Sequence, residues 1–400
     1  MLGYVHDRAN IDNDILYRAE ELTYEMFEPY MSGSKVKTID ELDMPLNTSP
    51  GWPFKKWAVD KGDVLRKRPD LIERFWNNPF SEHIWYCFGK LEIKPREKLY
   101  KTRLIQACSA QLAFLGARLY EDMNSKFVEH YFRLPSAVGM SKYHLGWHNI
   151  MSQFEGPVDE ADAKQWDSSL NVRIFRSIYR IRWRLLAKEY QTPENYQRHM
   201  AHLHHLCDSL VKLSDGTLVN VIGGQKSGSI NTTSDNSFGN VLCQNYAGLK
   251  SGMTVNQIYE QRRRVYGDDM LTERMTPGYW DAYTDCGIVL GTCKQHDSIV
   301  GANFLSNTVG KNGRYFTFKP DVFKVLFSCI TTDVRPTKMM AYERILALVS
   351  DAWCTTINDT LLEILNSIAD DVGRPRYSRA IMNRLVYGEE TVAVPFPYLN

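Results

Sequence analysis

The chain has 400 residues, 44% hydrophobic and 24% charged, with a formal net charge of +1. That length allows two or three subdomains, and the composition excludes disordered and fibrous classes. The near-zero net charge excludes a global attraction to polyanions, so any such binding must come from local clusters.

The start, "MLGYVHDRAN", is charged early and lacks an apolar core, so no signal peptide is expected. No apolar run approaches the roughly 18 residues of a membrane span. The 8 cysteines form no C-x-x-C pair, which predicts free thiols in a reducing compartment.

The first ~155 residues read as mixed and irregular, punctuated by Pro and Gly in "MPLNTSPGWPF" (44–54) and "LPSAVGMSK" (134–142). Between them lies a basic, strand-like segment, "KLEIKPREKLYKTRLIQA" (90–107). Lys90, Lys94, Arg96, Lys98, Lys101 and Arg103 there outnumber two acids. A basic exposed strand is the plain reading. Clustered cations facing an acidic site would instead suit a triphosphate. Arg103 sits beside apolar residues and needs a definite partner. Trp52, Trp57, Trp76 and Trp85 read as packing residues.

"VDEADAKQWDSSLNVRIF" (158–175) begins as an acidic strand and becomes a helix capped by Ser168 or Ser169. Leu170, Ile174, Ile178, Ile181 and Leu185 recur at helical spacing. Arg173, Arg176, Arg180 and Arg184 on the same segment read as a solvated face. "HLHHLCDS" (202–209) matches no standard zinc spacing. A second long helix follows "GGQKSGS", with Phe238, Val241, Leu242 and Leu249 as its buried stripe. A strand, a turn and a strand surround "RRRVYGDDMLT" (262–272). Three amphipathic helical segments occupy the last ~60 residues. Interleaved strands and helices with helices segregated at the end predict an α+β fold.

Asp268 and Asp269 repel one another, and their apolar flanks suggest a turn presented by buried strands. A surface hairpin turn, where Gly-Asp is favoured, is the simple alternative. Asp162 and Asp167 lie at a strand-to-helix junction. Brought against the 268–269 pair, Asp162 completes an all-oxygen cluster suited to Mg²⁺, and two such ions can serve phosphoryl displacement. "SGSINTTSDN" (227–236) is rich in poor helix formers. It reads either as an elaborate helix cap or as groups that examine a sugar. In the second reading Asn236 and Ser227 hold Asp167 to accept a bond from a ribose 2′-OH.

The ordered set Asp162-x4-Asp167, Ser227-Gly228-x3-Thr232-x3-Asn236 and Tyr266-Gly-Asp268-Asp269 resembles motifs A, B and C of positive-strand RNA virus RNA-dependent RNA polymerases. "TSPGWPF" (48–54), "KLEIK…KTRLI" (90–105), Lys294 and "FLS" (304–306) are similar to motifs G, F, D and E. The flavour is that of the picornavirus-like supergroup, nearer astrovirus- or sobemo-like members. The resemblance spans about residues 48 to 307.

It implies a right-hand polymerase fold. The fingers would be 1–157 and 186–222, the palm with its antiparallel sheet 158–185 and 223–307, and the thumb 308–400. Asp162, Asp268 and Asp269 would hold two Mg²⁺ ions, with Mn²⁺ able to substitute. Lys294 would donate a proton to departing pyrophosphate. Lys94, Lys101, Arg103, Asp167, Ser227, Gly228, Thr232 and Asn236 would bind the nucleotide. Thr48, Ser49, Gly51 and Lys90 would contact template RNA. The implied partners are RNA template and product, NTPs, other viral replication proteins and a protein primer. The implied location is host cytoplasm, at membrane-associated replication complexes reached through partners. A reverse transcriptase and an inactive palm-like RNA-binding protein are the competing readings. The first predicts a bulky aromatic where the 2′-OH would fit, the second a missing ligand or a broken basic cluster.

Overall fold

A computed structural model describes residues 9–89, 104–330 and 336–388. In chain order its elements are α1 (Asn13–Met31), α2 (Lys61–Lys67), α3 (Pro69–Asn77), β1 (Ile84–Gly89), β2 (Leu104–Ala107), α4 (Ala110–Glu129), α5 (Gly146–Met151) and β3 (Val158–Lys164). Then come α6 (Trp166–Ser169), α7 (Val172–Leu185), α8 (Pro193–Cys207), β4 (Asp208–Lys212), β5 (Leu218–Ile222), α9 (Thr232–Lys250) and α10 (Val255–Glu260). The chain continues through β6 (Arg263–Tyr266), β7 (Asp269–Glu273), α11 (Tyr279–Thr284), β8 (Val289–His296), β9 (Asn303–Phe304), β10 (Asn307–Asn312) and β11 (Tyr315–Pro320). It closes with α12 (Val322–Ile330), α13 (Lys338–Asp351), α14 (Asn358–Ala369) and α15 (Arg379–Tyr387). The strand orders are β2-β1-β4-β5, β6-β7-β3-β8 and β11-β10-β9. Mixed sheets with abundant helix make the fold α+β.

Two compact units form. The first comprises Met1–Gly139, Ala161–Asp269 and Met275–Thr292. Its central element is α9, buried continuously from Ser234 to Gly248 and packed on α1, α7 and α11. A helix so rich in Asn, Asp and Gln can be buried only if its polar groups find partners. Asn245 donates to Thr23 Oγ1 at 2.8 Å and accepts from Arg263 at 2.6 Å. Asp235 is held by the guanidinium of Arg182 at 2.7 Å, with both side chains fully buried. Around these bonds Phe238 packs on Phe27 and Phe127, ring centroids 4.5 and 5.2 Å away.

Helix α7 begins later than its sequence suggests. Its cap is Asn171, whose Oδ1 accepts from the N–H of Arg173 and Ile174, not Ser168 or Ser169. Those two serines belong to α6 and return their hydroxyls to the carbonyls of Gln165 and Trp166. The arginine face of α7 is also not simply solvated. Arg180 pairs with Glu20 and Arg184 with Glu21, so the face docks on α1. Three of the four histidines of α8 are buried, His204 being exposed; His199 and His202 meet Tyr120 and Tyr179 hydroxyls at 2.8 and 2.5 Å. Burial pushes both imidazoles down to about 3, keeping them neutral.

The second unit comprises Met140–Glu160, Met270–Arg274 and Cys293–Asn400. There α5 packs on β11, with Trp147 6.0 Å from Phe318, and α13 contacts α12, α14 and α15. Strands β9 and β10 join through Leu305 and Ser306, both left-handed, at φ 50° and 59°. Two positive-φ positions match a type I′ hairpin turn, here built without glycine.

Candidate active site

Strands β6 and β7 meet at a two-residue loop, Gly267 and Asp268. Gly267 has φ +63°, a conformation that glycine adopts without steric cost. Helix α9 holds this turn from behind. Ser237 Oγ accepts the Gly267 N–H at 3.0 Å, and Asn240 Nδ2 donates to the Gly267 carbonyl at 2.9 Å. Tyr283 in turn donates to Asn240 Oδ1 at 3.2 Å. The loop thus has a fixed backbone while Asp268 stays exposed and Asp269 half-buried.

Strand β3 brings the third carboxylate. The Arg274 N–H, just past β7, donates to the Pro157 carbonyl, just before β3, at 3.0 Å. The end of β7 therefore meets the start of the neighbouring β3, and the two run antiparallel. Counting five residues along each strand sets Asp269 opposite Asp162. Opposed residues share a face, with Cβ atoms about 4.5–5.5 Å apart, and like charges there are unfavourable unless compensated. On β8, a Cβ at Gly291 would stand 3.1 Å from Asp162 Oδ2, so glycine keeps space beside that carboxylate.

The other acids of β3 are engaged elsewhere. Asp159 pairs with Arg274 at 2.8 Å. Glu160 receives Lys294 at 3.2 Å, His296 at 2.9 Å and the Asn303 N–H at 2.8 Å. These bonds hold the Glu160 carboxyl below its usual range despite its burial. Asp162 remains solvent-accessible. Lys294 belongs with Glu160 in the second unit, whereas Asp162, Asp268 and Asp269 belong to the first.

Among the described residues, no three His, Cys, Asp or Glu side chains form a ready metal cage. The donor set still fits a hard divalent cation: it is all carboxylate and solvent-accessible. Mg²⁺ commonly takes one or two carboxylates and completes its shell with water and substrate phosphates, so a full protein cage is not needed.

Asp167 lies one turn beyond β3, on α6, half-buried. The loop before α9 zips onto it: Gln225 N–H donates to the Asp167 carbonyl at 2.6 Å, and Gly224 N–H to the Leu170 carbonyl at 2.7 Å. Lys226 anchors this loop from within, donating to the carbonyls of Leu206, Gly223 and Gly224. Burial lowers its ammonium to about 8. Ser227 Oγ accepts the Gln106 N–H at 3.1 Å, and Gly228 N–H donates to the Gln106 carbonyl at 2.9 Å. The Ser227 hydroxyl thus meets β2 rather than Asp167. Thr232 returns its hydroxyl to the Lys226 and Ser229 carbonyls. Asn236 is buried beside Gly267, and its Oδ1 has no partner, which is costly unless a ligand supplies a donor.

Gly228 has no space for a side chain. A Cβ there would lie 2.4 Å from the Gln106 carbonyl oxygen. Gly228→Ala is expected to cost about 1–3 kcal/mol and to displace Ser227 from Gln106. A urea-unfolding midpoint equal to that of the parent would refute the steric argument.

Thr48 and Ser49 are exposed; Lys61 Nζ donates to Thr48 Oγ1 at 2.6 Å. Gly51 is buried so close to α4 that a Cβ would lie 2.2 Å from the Cys108 carbonyl. Lys90, Lys94, Lys101 and Arg103 lie outside the described residues. Sequence reasoning missed Ser237, Asn240, Lys226 and the Arg182–Asp235 pair. The density of Asn and Gln between 236 and 245 was the one visible signal for Ser237 and Asn240, and it did not reach Lys226 or the Arg182–Asp235 pair.

A family model described as viral RNA-dependent RNA polymerase matches residues 16–275. The non-structural polyprotein 1AB of turkey astrovirus 1 is 26% identical over 80% of this chain and 21% of its own length. The corresponding polyprotein of ovine astrovirus 1 is 26% identical over 78% of this chain and 25% of its own length. A genome polyprotein of turnip mosaic virus is 30% identical over 47% of this chain and 6% of its length. The chain thus spans about a fifth to a quarter of the length of the astrovirus polyproteins.

Proposed function

The chain belongs to the viral RNA-dependent RNA polymerase family, and from that premise we propose that its carboxylates at 162, 268 and 269 carry template-directed nucleotidyl transfer. The reaction joins an NTP to an RNA 3′-OH and releases pyrophosphate. The observation that carries this reading is the strand register that sets Asp162 opposite Asp269, beside the turn fixed by α9.

Asp162 and Asp268 are the proposed ligands of two Mg²⁺ ions, or Mn²⁺ in their place, with Asp269 in support. Bound there, such ions lower the energy of charge developing on the attacking and leaving oxygens. The chain's own part is positioning. Ser237 and Asn240 hold the Gly267 backbone just before Asp268, Gln225 and Gly224 bond the carbonyls of Asp167 and Leu170, and Asn236 lies beside the turn. Asn236, with its unpartnered Oδ1, is proposed to accept from the ribose hydroxyl, and Asp167, Ser227, Gly228 and Thr232 to shape the nucleotide pocket. Lys94, Lys101 and Arg103 are proposed to hold the triphosphate, and Thr48, Ser49, Gly51 and Lys90 the template. Lys294 as proton donor would first have to leave Glu160.

The proposed division is fingers at 1–157 and 186–222, palm at 158–185 and 223–307, and thumb at 308–400. The partners proposed are RNA, NTPs, further viral replication proteins and a protein primer. Membrane-associated complexes in the host cytoplasm are the proposed location. Kinship to segments of viral polyproteins supports both.

RNA synthesis on a homopolymer template, with and without primer and with Mg²⁺ or Mn²⁺, tests the reading. Template-dependent product is expected; none under any of these conditions would refute it. The Asp167→Ala variant is expected to lose about tenfold of its preference for ribo- over deoxyribonucleotides, the worth of about one charge-assisted hydrogen bond. Relative kcat/KM for ATP and dATP measures this, and an unchanged ratio removes Asp167 from sugar recognition.

A further inference from the structure

Lys226 is fully buried, which is rare for a lysine unless its charge is paired. No carboxylate does this here among its hydrogen bonds. Its Nζ donates instead to the carbonyls of Leu206, Gly223 and Gly224, at 2.8, 2.5 and 3.0 Å. An ammonium has three N–H donors, whereas a neutral amide has two. The ammonium, lowered to about 8 by burial, still keeps its proton at pH 7.

Two of the three carbonyls come from Gly223 and Gly224, which are both left-handed, at φ 70° and 71°. Glycine adopts that conformation without steric cost. The third belongs to the last turn of α8, where helix carbonyls lack intrahelical partners and a cation is favoured. Leu206 O also accepts the Ser209 hydroxyl, at 2.9 Å. The Gly223 N–H adds a bond to the Cys207 carbonyl at 2.7 Å. The start of the loop is thus tied to the end of α8.

The rest of the loop meets the residues assigned to the nucleotide. Gln225 N–H holds the Asp167 carbonyl, Ser227 and Gly228 bond Gln106, and Thr232 gives its hydroxyl to the Lys226 carbonyl at 2.9 Å. One buried residue therefore joins a helix end to the backbone that carries Ser227 and Gly228.

We propose that Lys226 is a positioning residue for the incoming nucleotide, an internal cation that keeps residues 223–228 in their binding shape without contacting the substrate. This rests on the polymerase reading. Without the ammonium, three buried carbonyls converge with no donor between them. The two glycines have the freedom to turn their peptides away. Asp167 and Ser227 then shift, and a misplacement of about 1 Å is enough to cost binding or rate.

Steady-state kinetics of Lys226→Ala with added n-propylammonium, the portion of the side chain that alanine lacks, test this. KM for NTP is expected to rise at least about tenfold, with kcat changed less than KM. Propylammonium should reverse the rise saturably. Tetramethylammonium, which has the charge and no N–H, should not. Lys226→Gln, with two donors for three carbonyls, covers the case of an alanine variant that does not fold, and its KM should rise as well. A parental KM in either variant, a loss confined to kcat, no recovery of a folded alanine variant by propylammonium, or equal recovery by tetramethylammonium would each overturn the proposal. A parent chain that makes no template-dependent RNA would refute the polymerase reading and this assignment with it. An active parent beside an unaltered variant would refute this assignment alone.

Discussion

On the proposed assignment, Asp268→Asn is expected to lower single-nucleotide incorporation by about three orders of magnitude or more, because removing one carboxylate would weaken the charge stabilisation that a divalent ion held there would supply. Folding should survive. Asp268 is exposed at a hairpin tip, where Asn is well tolerated, and surface changes of this kind usually stay within about 0.5 kcal/mol. Asp162→Asn should behave in the same way. The double variant should be scarcely worse than either single one, since residues that act as a unit are not additive. Single-turnover primer extension, alongside melting curves, decides the matter. Full activity in either single variant would dismantle the carboxylate assignment.

Arg182→Met is expected to destabilise the chain by about 3–5 kcal/mol, the usual cost of stranding one member of a buried ion pair. Arg182 lies between the rings of Tyr120 and Phe238, 5.1 and 5.2 Å from their centroids. It also donates to Ser234 Oγ at 2.8 Å. Its loss leaves Asp235 fully buried without its cation. Burial already raises the Asp235 carboxyl above its usual range, and Arg182 is what opposes that rise. Without the arginine the folded-state value rises further. The folded variant then keeps a proton that the unfolded chain releases, so its stability is greatest at low pH and is lost as pH rises. The deficit relative to the parent should therefore be smaller at pH 5 than at pH 8 in urea titrations. A second change, Asp235→Leu on the Arg182→Met background, should recover much of the loss. A single variant as stable as the parent at pH 8 would show that the pair does not hold α9 in place.

The proposed site was legible because its chemistry would call for particular letters. A tight hairpin favours Gly267, and the hard-cation site proposed here would need carboxylates such as Asp162, Asp268 and Asp269. The Ser227–Asn236 run stood out because those residues make poor helix interiors. Less legible was everything that depends on a distant partner. Arg180 and Arg184 looked solvated because nothing in the local spacing reveals that Glu20 and Glu21 return to meet them, some 160 residues away. Ser168 looked like a cap because capping propensity does not distinguish the first turn of α7 from the separate turn of α6.

The amino-acid sequence by itself determined the family, the α+β class and the identity of the acidic and amide residues, since these follow from residue type, order and period. The tertiary structure alone decided which groups meet. It paired Asp269 across from Asp162 while giving Asp159 to Arg274 and Glu160 to Lys294 and His296. Three acids within four residues of one strand thus have different fates. The reason is physical: a strand turns alternate side chains to opposite faces, and the neighbours on each face determine whether a carboxylate is buried against them or stays exposed to solvent.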